Sequence, residues 1–199
     1  MRNQYRRILQ TEAVERAQLE NYRRVGMVRD DGDRLIAMGL AERTFIAERD
    51  SFYLASANEN GWPYVQHRGG AKGFLKVLDE RRLAFADLEG NRQMISVGNV
   101  SANDRVSLFL MDYRARERLK IIGRAKVISP QDDPELASLL GLEPAGHGRI
   151  FVIEVVGFDW NCPKFITQRF TRVEVEEAMR PLRQRIEELE ARLGELKSG

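Results

Sequence analysis

The sequence predicts a mainly β, α+β fold: an antiparallel barrel, closed or nearly so, with helices at both ends. Three observations predict it. Short runs between residues 51 and 160 alternate apolar and polar residues, the period of strands with one buried face. Few helical stretches separate those runs, which favours antiparallel strands over a parallel doubly wound sheet. Beyond residue 171 the period becomes helical.

A chain of 199 residues holds one domain plus an appendage and can bury a sizeable core. Its 32 basic and 30 acidic residues leave a net charge of +2, so no global charge argues for nucleic acid and any cationic site must be local. The single cysteine, Cys162, cannot close an internal disulfide, and no Cys/His cluster has zinc spacing. No metal site is expected. The N-terminus is too polar for a signal peptide and no apolar run approaches a membrane span. A cytoplasmic protein without membrane contact is the expectation.

Residues 1–50 read as a helical segment. Thr11, with Glu15 nearby, opens one helix, and Leu35, Ile36, Leu40 and Ile46 mark the apolar stripe of a second. Residues 51–170 form the barrel. Ser51–Ala57 runs through the turn pair Asn60-Gly61 into Pro63–Arg68, a hairpin with Pro63 at the strand's first position, where a missing N–H is tolerated. Further strands are expected at Gly73–Leu78, Arg82–Ala86, Arg105–Tyr113, Glu117–Ile128 and Ile150–Asp159. A helix is expected at Asn91–Ala102, with Met94, Val97 and Val100 on one side. Residues 129–149, with Pro130, Pro134 and Pro144, read as a surface excursion with one or two helical turns.

Residues 171–199 carry the clearest local signal. Val175, Met179, Leu182, Ile186, Leu189, Leu193 and Leu196 recur at alternating spacings of four and three, an a/d seam of about three heptads. Glu188 and Arg192 supply an i,i+4 pair. Pro181 places the stable part from about Leu182. Such a helix either packs on its own barrel or pairs with another subunit.

Chemistry concentrates between Trp62 and Phe109. A Gly-rich turn lies there between strands, with Arg68, Lys76 and Arg92, cations suited to an anionic cofactor. Arg92 falls in the first turn of the helix expected at 91–102, where free N–H groups and the helix dipole favour an anion. Gly69 and Gly70 either turn the chain or let a ligand approach the backbone. The two histidines, His67 and His147, have no nucleophile or metal-ligand partners in sequence, and His67 is expected to pack or hydrogen-bond. Cys162 reads as a small packing residue, and Trp160 as a lid or core residue.

Four segments, HRGG (67–70), GFLKVLDERRLAFAD (73–87), GNRQ (90–93) and NCPK (161–164), together resemble the pyridoxamine 5'-phosphate oxidase-like flavoproteins over roughly residues 45–165. The resemblance implies a six-stranded antiparallel split barrel that forms a homodimer, with FMN held in clefts between subunits. It implies Lys76 and Arg92 at the phosphate, and Ala86, Asp87 and Asn91 near the ribityl chain and phosphate. Gly73, Phe74 and Leu75 would lie beneath the flavin. Asn161 and Lys164 belong to a late segment that the family sets against the flavin. Gln93 stands where better-known oxidases carry lysine. The pyridoxal-phosphate-forming oxidases also bear an Arg-x-His-Asp-Arg type signature near the C-terminus, where this chain runs FITQRFTRVEVEEAM. The resemblance therefore implies a flavin site, and an FMN-dependent oxidoreductase acting on an unidentified small molecule. A non-catalytic flavin-binding or sensing module, and a barrel for deazaflavin or haem, stand as alternatives.

Overall fold

The computed structural model describes residues 4–26, 37–88, 92–143, 146–160 and 164–198. Seven antiparallel strands form one sheet: β1 (Ser51–Ala57), β2 (Pro63–Gly69), β3 (Lys76–Val77), β4 (Arg82–Asp87), β5 (Arg105–Asp112), β6 (Glu117–Ile128) and β7 (Arg149–Trp160). Their order is β2-β1-β5-β6-β7-β4-β3. The two edges, β2 and β3, do not pair, so the sheet curls into a barrel that stays split along one seam. The resemblance implied six strands; the seventh here is the two-residue β3.

Alternation sets which side chains fill the interior. In β1, Phe52 and Leu54 are buried while Tyr53 is 41% exposed, and β5 repeats the pattern with Val106, Leu108 and Leu110 inside. Phe85 stacks on Phe151 at 4.9 Å and meets Phe52 edge-on at 5.3 Å at the centre of the core. In β4 and β7 the alternation fades because both faces are covered. Helix α5 (Pro134–Leu139) packs on their outer side, where Leu136, Ala137 and Leu142 bury Ala84, Ile150 and Val152. Residues 129–149 are thus more than a surface excursion. Asp133 caps α5 by accepting from the Leu136 N–H at 3.0 Å, and Pro134 occupies the first helical position.

The hairpin forms around Asn60-Gly61 as expected, with a loop of residues 58–62 closed by the Asn58 side chain, which accepts from the Asn60 and Trp62 N–H groups. The strand expected over Gly73–Leu78 shrinks to Lys76–Val77. Gly73 adopts a left-handed φ of 74°, and Asp79 folds the next turn back by accepting from the Arg81 and Arg82 N–H groups. Before the barrel lie α1 (Gln4–Leu9), α2 (Glu12–Tyr22) and α3 (Leu40–Ala47). Thr11 caps α2, and α3 buries Phe45 and Ile46. The expected positions Leu35 and Ile36 lie outside the described residues.

Helix α4 (Ile95–Ala102) begins later than the expected Asn91. Arg92 and Met94 both have left-handed backbones, φ 59° and 56°, which cannot continue into a helix. Its inward face also differs from the expected one. Val100, Ser96 and Asn99 are buried and Val97 partly so, while Met94 is 44% exposed. Helix α6 (Arg172–Ser198) runs unbroken through Pro181. A capping box starts it ahead of the proline: Glu174 accepts from the Thr171 N–H at 2.8 Å and Thr171 Oγ1 accepts from the Glu174 N–H at 3.3 Å. The carbonyl that Pro181 leaves without a donor lies on an exposed helix, where water can satisfy it. Glu188 takes Arg185 at 2.8 Å rather than the expected Arg192. Among the described residues no helix is long and apolar enough to cross a membrane.

Candidate functional site

The seam between the two sheet edges opens into a cleft of about 220 Å³. Register explains its lining. Arg68, Gln66 and Tyr64 pair with the inward-facing Phe52, Leu54 and Ser56, so they occupy the inward face of β2. On the far side of the seam, Asp87 continues the inward row Leu83, Phe85 at the end of β4. Arg92, Gln93, Met94 and the first turn of α4 close the third side, and Arg149 enters from β7.

An ion-pair relay crosses the seam. Arg68 Nη1 donates to Asp87 Oδ1, and Arg149 Nε donates to Asp87 Oδ2 at 2.9 Å. Asp87 is 4% exposed. The Arg68 guanidinium also stands 5.5 Å from the Phe85 ring centre and 5.4 Å from that of Phe151, and its Nε is buried without a hydrogen-bond partner. Two cations thus share one carboxylate at the mouth of an apolar barrel. Arg92 adds a third guanidinium to the lining.

Helix α4 is tied to β1 and β2 by polar pairs rather than by the apolar stripe expected of it. Ser96 Oγ donates to Gln66 Oε1 at 2.8 Å, and Asn99 Nδ2 donates to Ser56 Oγ at 3.0 Å. These ties aim the N-terminus of α4 into the cleft. The first helical bond runs from the Gly98 N–H to the Met94 carbonyl, so the N–H groups of Ile95, Ser96 and Val97 have no acceptor within the helix. No acidic side chain occupies the first turn. The start of a helix, with its dipole, and arginine side chains are groups that favour an anion.

Of the expected site residues, the cleft brings together Arg68, Asp87, Arg92 and Gln93. Arg92 reaches it from a left-handed turn just ahead of α4 rather than from the helix. Lys76 does not line it. It pairs with Ala84 in β3 and so shares the outward face of the barrel, opposite the 1% exposed Leu75. Phe74 stacks on Phe52 at 5.5 Å, and Ala86 packs against the cluster under α5. Asn91 and Asn161 lie outside the described residues, as does Cys162, and Lys164 is exposed beside the Phe165 ring. Gly70 has a packing reason to be glycine: a Cβ there would stand 2.8 Å from Phe74 Cγ. His67 faces outward against the Tyr53 ring, and Trp160 donates to Glu42 Oε1 at 2.7 Å while packing edge-on against Phe45. Tyr64, Gln66, Ser96 and Arg149 join the site without having been singled out in the sequence. The period of two in PYVQHRG, which puts Tyr64, Gln66 and Arg68 on one face, is the signal that could have found the first two.

No curated protein matches the sequence. Among solved structures, Group A Streptococcus HupZ is similar at 12% identity and TM-score 0.48, over 67% of this chain and 100% of that one. A protein related to general stress protein 26, of the pyridoxinephosphate oxidase family from Clostridium acetobutylicum, is similar at 13% identity and TM-score 0.45, over 61% and 86%. A pyridoxamine 5'-phosphate oxidase-related, FMN binding protein from Nostoc punctiforme is similar at 14% identity and TM-score 0.44, over 61% and 78%. A family model described as pyridoxamine 5'-phosphate oxidase matches residues 39–154, more than half of the chain and nearly all of the barrel. The chain belongs to the pyridoxamine 5'-phosphate oxidase family.

Proposed function

We propose that the chain is an FMN-binding flavoprotein that works as a homodimer, and that its flavin serves an FMN-dependent oxidoreductase activity on a small molecule. The cleft at the seam carries this reading. Arg68, Arg92 and Arg149 line it together with Asp87, the one carboxylate among its described lining residues, beside the N-terminus of α4. Guanidinium groups beside a helix N-terminus suit a phosphate monoester, and a forked guanidinium suits two of its oxygens at once. At about 220 Å³ the cleft falls short of the roughly 300–1,000 Å³ of a pocket that encloses a whole ligand. It fits the phosphate and ribityl chain of FMN, with the ring system lying beyond it.

A second subunit would supply the missing wall. The outer face of β1, β2 and β5 presents Tyr53, Val65 and Phe109, with Val65 59% exposed, and Phe165 beside them is 92% exposed. A second barrel laid on this face would bury it.

Bound FMN would supply hydride or electron transfer itself. The chain's own residues then bind and orient. Arg92 and the α4 amides hold the anion, Asp87 fixes Arg68 and Arg149, and Gln66 holds Ser96 and with it the start of the helix. Neither histidine lines the cleft. The same observation fits a non-catalytic flavin-binding module, which one experiment separates from an enzyme. The visible spectrum of the purified protein distinguishes flavin from deazaflavin or haem, and titration of apo-protein gives the FMN affinity of wild type and Arg92→Ala. Reduction by a nicotinamide donor followed by substrate-dependent reoxidation marks turnover. A protein that takes up no FMN would end this reading.

A further inference from the structure

Helix α6 is built to pair, and its own barrel leaves it unpartnered. Its first turn is anchored by Arg114 to Glu174 at 3.3 Å, and beyond that every described side chain is exposed. The seven seam residues from Val175 to Leu196 are 42–79% exposed. The two residues least suited to a helix, Pro181 and Gly194, both lie off the seam, at positions c and b. A helix of 27 residues is about 40 Å long, enough for six apolar layers.

Charge selects the direction and the register. With Met179, Ile186 and Leu193 at a, the e positions are Glu176, Arg183, Glu190 and Lys197, and the g positions are Ala178, Arg185 and Arg192. In an antiparallel pair e faces e and g faces g. Setting Ile186 against Leu189 of the second copy brings Arg183 to Glu190 and Glu176 to Lys197, each pair occurring twice by symmetry. Sliding by one heptad either way replaces these with like charges: Glu190 on Glu190 and Arg183 on Lys197, or Arg183 on Arg183 and Glu176 on Glu190. The unfavourable contact in the chosen register, Arg185 against Arg192, also occurs twice, and each is offset by Glu188, already 2.8 Å from Arg185 on its own helix. A parallel pair gains only Arg185 with Glu190 and sets Arg192 against Lys197. We propose that α6 pairs with α6 of a second copy of this chain as a two-stranded antiparallel coiled coil, in the register that opposes Ile186 and Leu189.

This contact is independent of the cofactor, because α6 contributes nothing to the cleft lining. Disulfide trapping tests it in full-length protein carrying Cys162→Ser, which removes the sole native thiol. Two chains distinguishable by an affinity tag are co-expressed, one with Met179→Cys and the other with Leu196→Cys. In the proposed register these positions oppose each other, whereas equivalent Leu196 positions lie about 25 Å apart along the axis. Mild oxidation should link the two different chains and leave Leu196→Cys expressed alone unlinked. Adding Ile186→Asp to both chains should abolish the link, while the fold of the barrel, read by its melting temperature, stays unchanged. Self-linking of Leu196→Cys would overturn the antiparallel direction. Absence of the mixed link, or its survival in the Ile186→Asp background, would overturn the pairing itself. The flavin absorbance of the same samples reports separately on the cleft.

Discussion

Removing the Asp87 carboxylate should damage the barrel more than any surface ion pair could. Asp87 is 4% exposed and holds two guanidiniums, one of them from Arg68, whose side chain is itself only 14% exposed. Breaking a buried pair by deleting one partner leaves the other charge uncompensated, at a cost of about 3–5 kcal/mol. The Arg149 side chain is 26% exposed and can turn to water, which discounts its share through solvent screening. The low end, about 3 kcal/mol, is therefore expected for Asp87→Asn, which keeps the shape and loses the charge. For a chain of this size that corresponds to a melting temperature lower by roughly 6–12 °C. Differential scanning calorimetry in the absence of cofactor reads it directly. Replacing both ends, Asp87→Leu with Arg68→Leu, should recover part of the loss, because no buried charge then remains unpaired. An Asp87→Asn variant that melts with the wild type would refute the relay as a structural element.

Other perturbations have equally definite signs. Arg92→Ala should weaken FMN binding by about 1.5 kcal/mol, roughly tenfold, the low end for a charged hydrogen bond because Arg92 is exposed; fluorescence titration of apo-protein measures it. Gly70→Ala should destabilise by about 1–3 kcal/mol, since the new methyl meets Phe74 and must push it off Phe52; a wild-type denaturation midpoint would contradict this. Gly98→Ala meets nothing within 4 Å and lies inside α4, so a gain of up to about 1 kcal/mol is expected in the same denaturant assay. At Asp112 burial pushes the carboxyl pKa up, but the Ala115 N–H and Arg49 at 2.7 Å outweigh it and hold the pKa below the ordinary value of 3.8. The folded state then binds fewer protons than the unfolded one. Its stabilisation is present above that ordinary value and is lost as pH falls through the lowered one, so Asp112→Asn should flatten the acid limb of a pH–stability curve.

Strands with one buried face were legible because their side chains report burial locally. In β1 the row Phe52, Leu54, Ser56 points inward and Tyr53 and Ala55 point out. Where local backbone departed from the usual regions, legibility failed. Nothing in the residue types announces left-handed backbones at Arg92 and Met94, and these delay α4 to Ile95. The capping box Thr171-x-x-Glu174 starts α6 ahead of Pro181, a poor residue for a helix that here costs only an exposed carbonyl its donor. The site was half visible. Arg68, Asp87, Arg92 and Gln93 were named from the sequence, whereas Arg149 reaches Asp87 only because β7 runs beside β4 in the sheet order. Partners 62 residues apart are set by topology, which no local pattern encodes.

That topology also explains why this cleft lies at the seam. Closing the sheet would require β2 to pair with β3, but β3 offers only two residues and β2 carries polar side chains on its inward face. Pushing Gln66 and Arg68 into a sealed apolar core would leave them without partners, at a cost no edge hydrogen bond would repay. The open seam resolves this: Asp87 takes Arg68, Ser96 takes Gln66, and α4 is drawn over the gap with its N-terminus facing in. Two unpaired edges are a hazard for aggregation, and here a very short β3 and Pro63 at the start of β2 blunt them. The same residues that keep the barrel from closing thus bring guanidinium groups and the start of α4 together in one place. The cleft is a consequence of the split, not an addition to it.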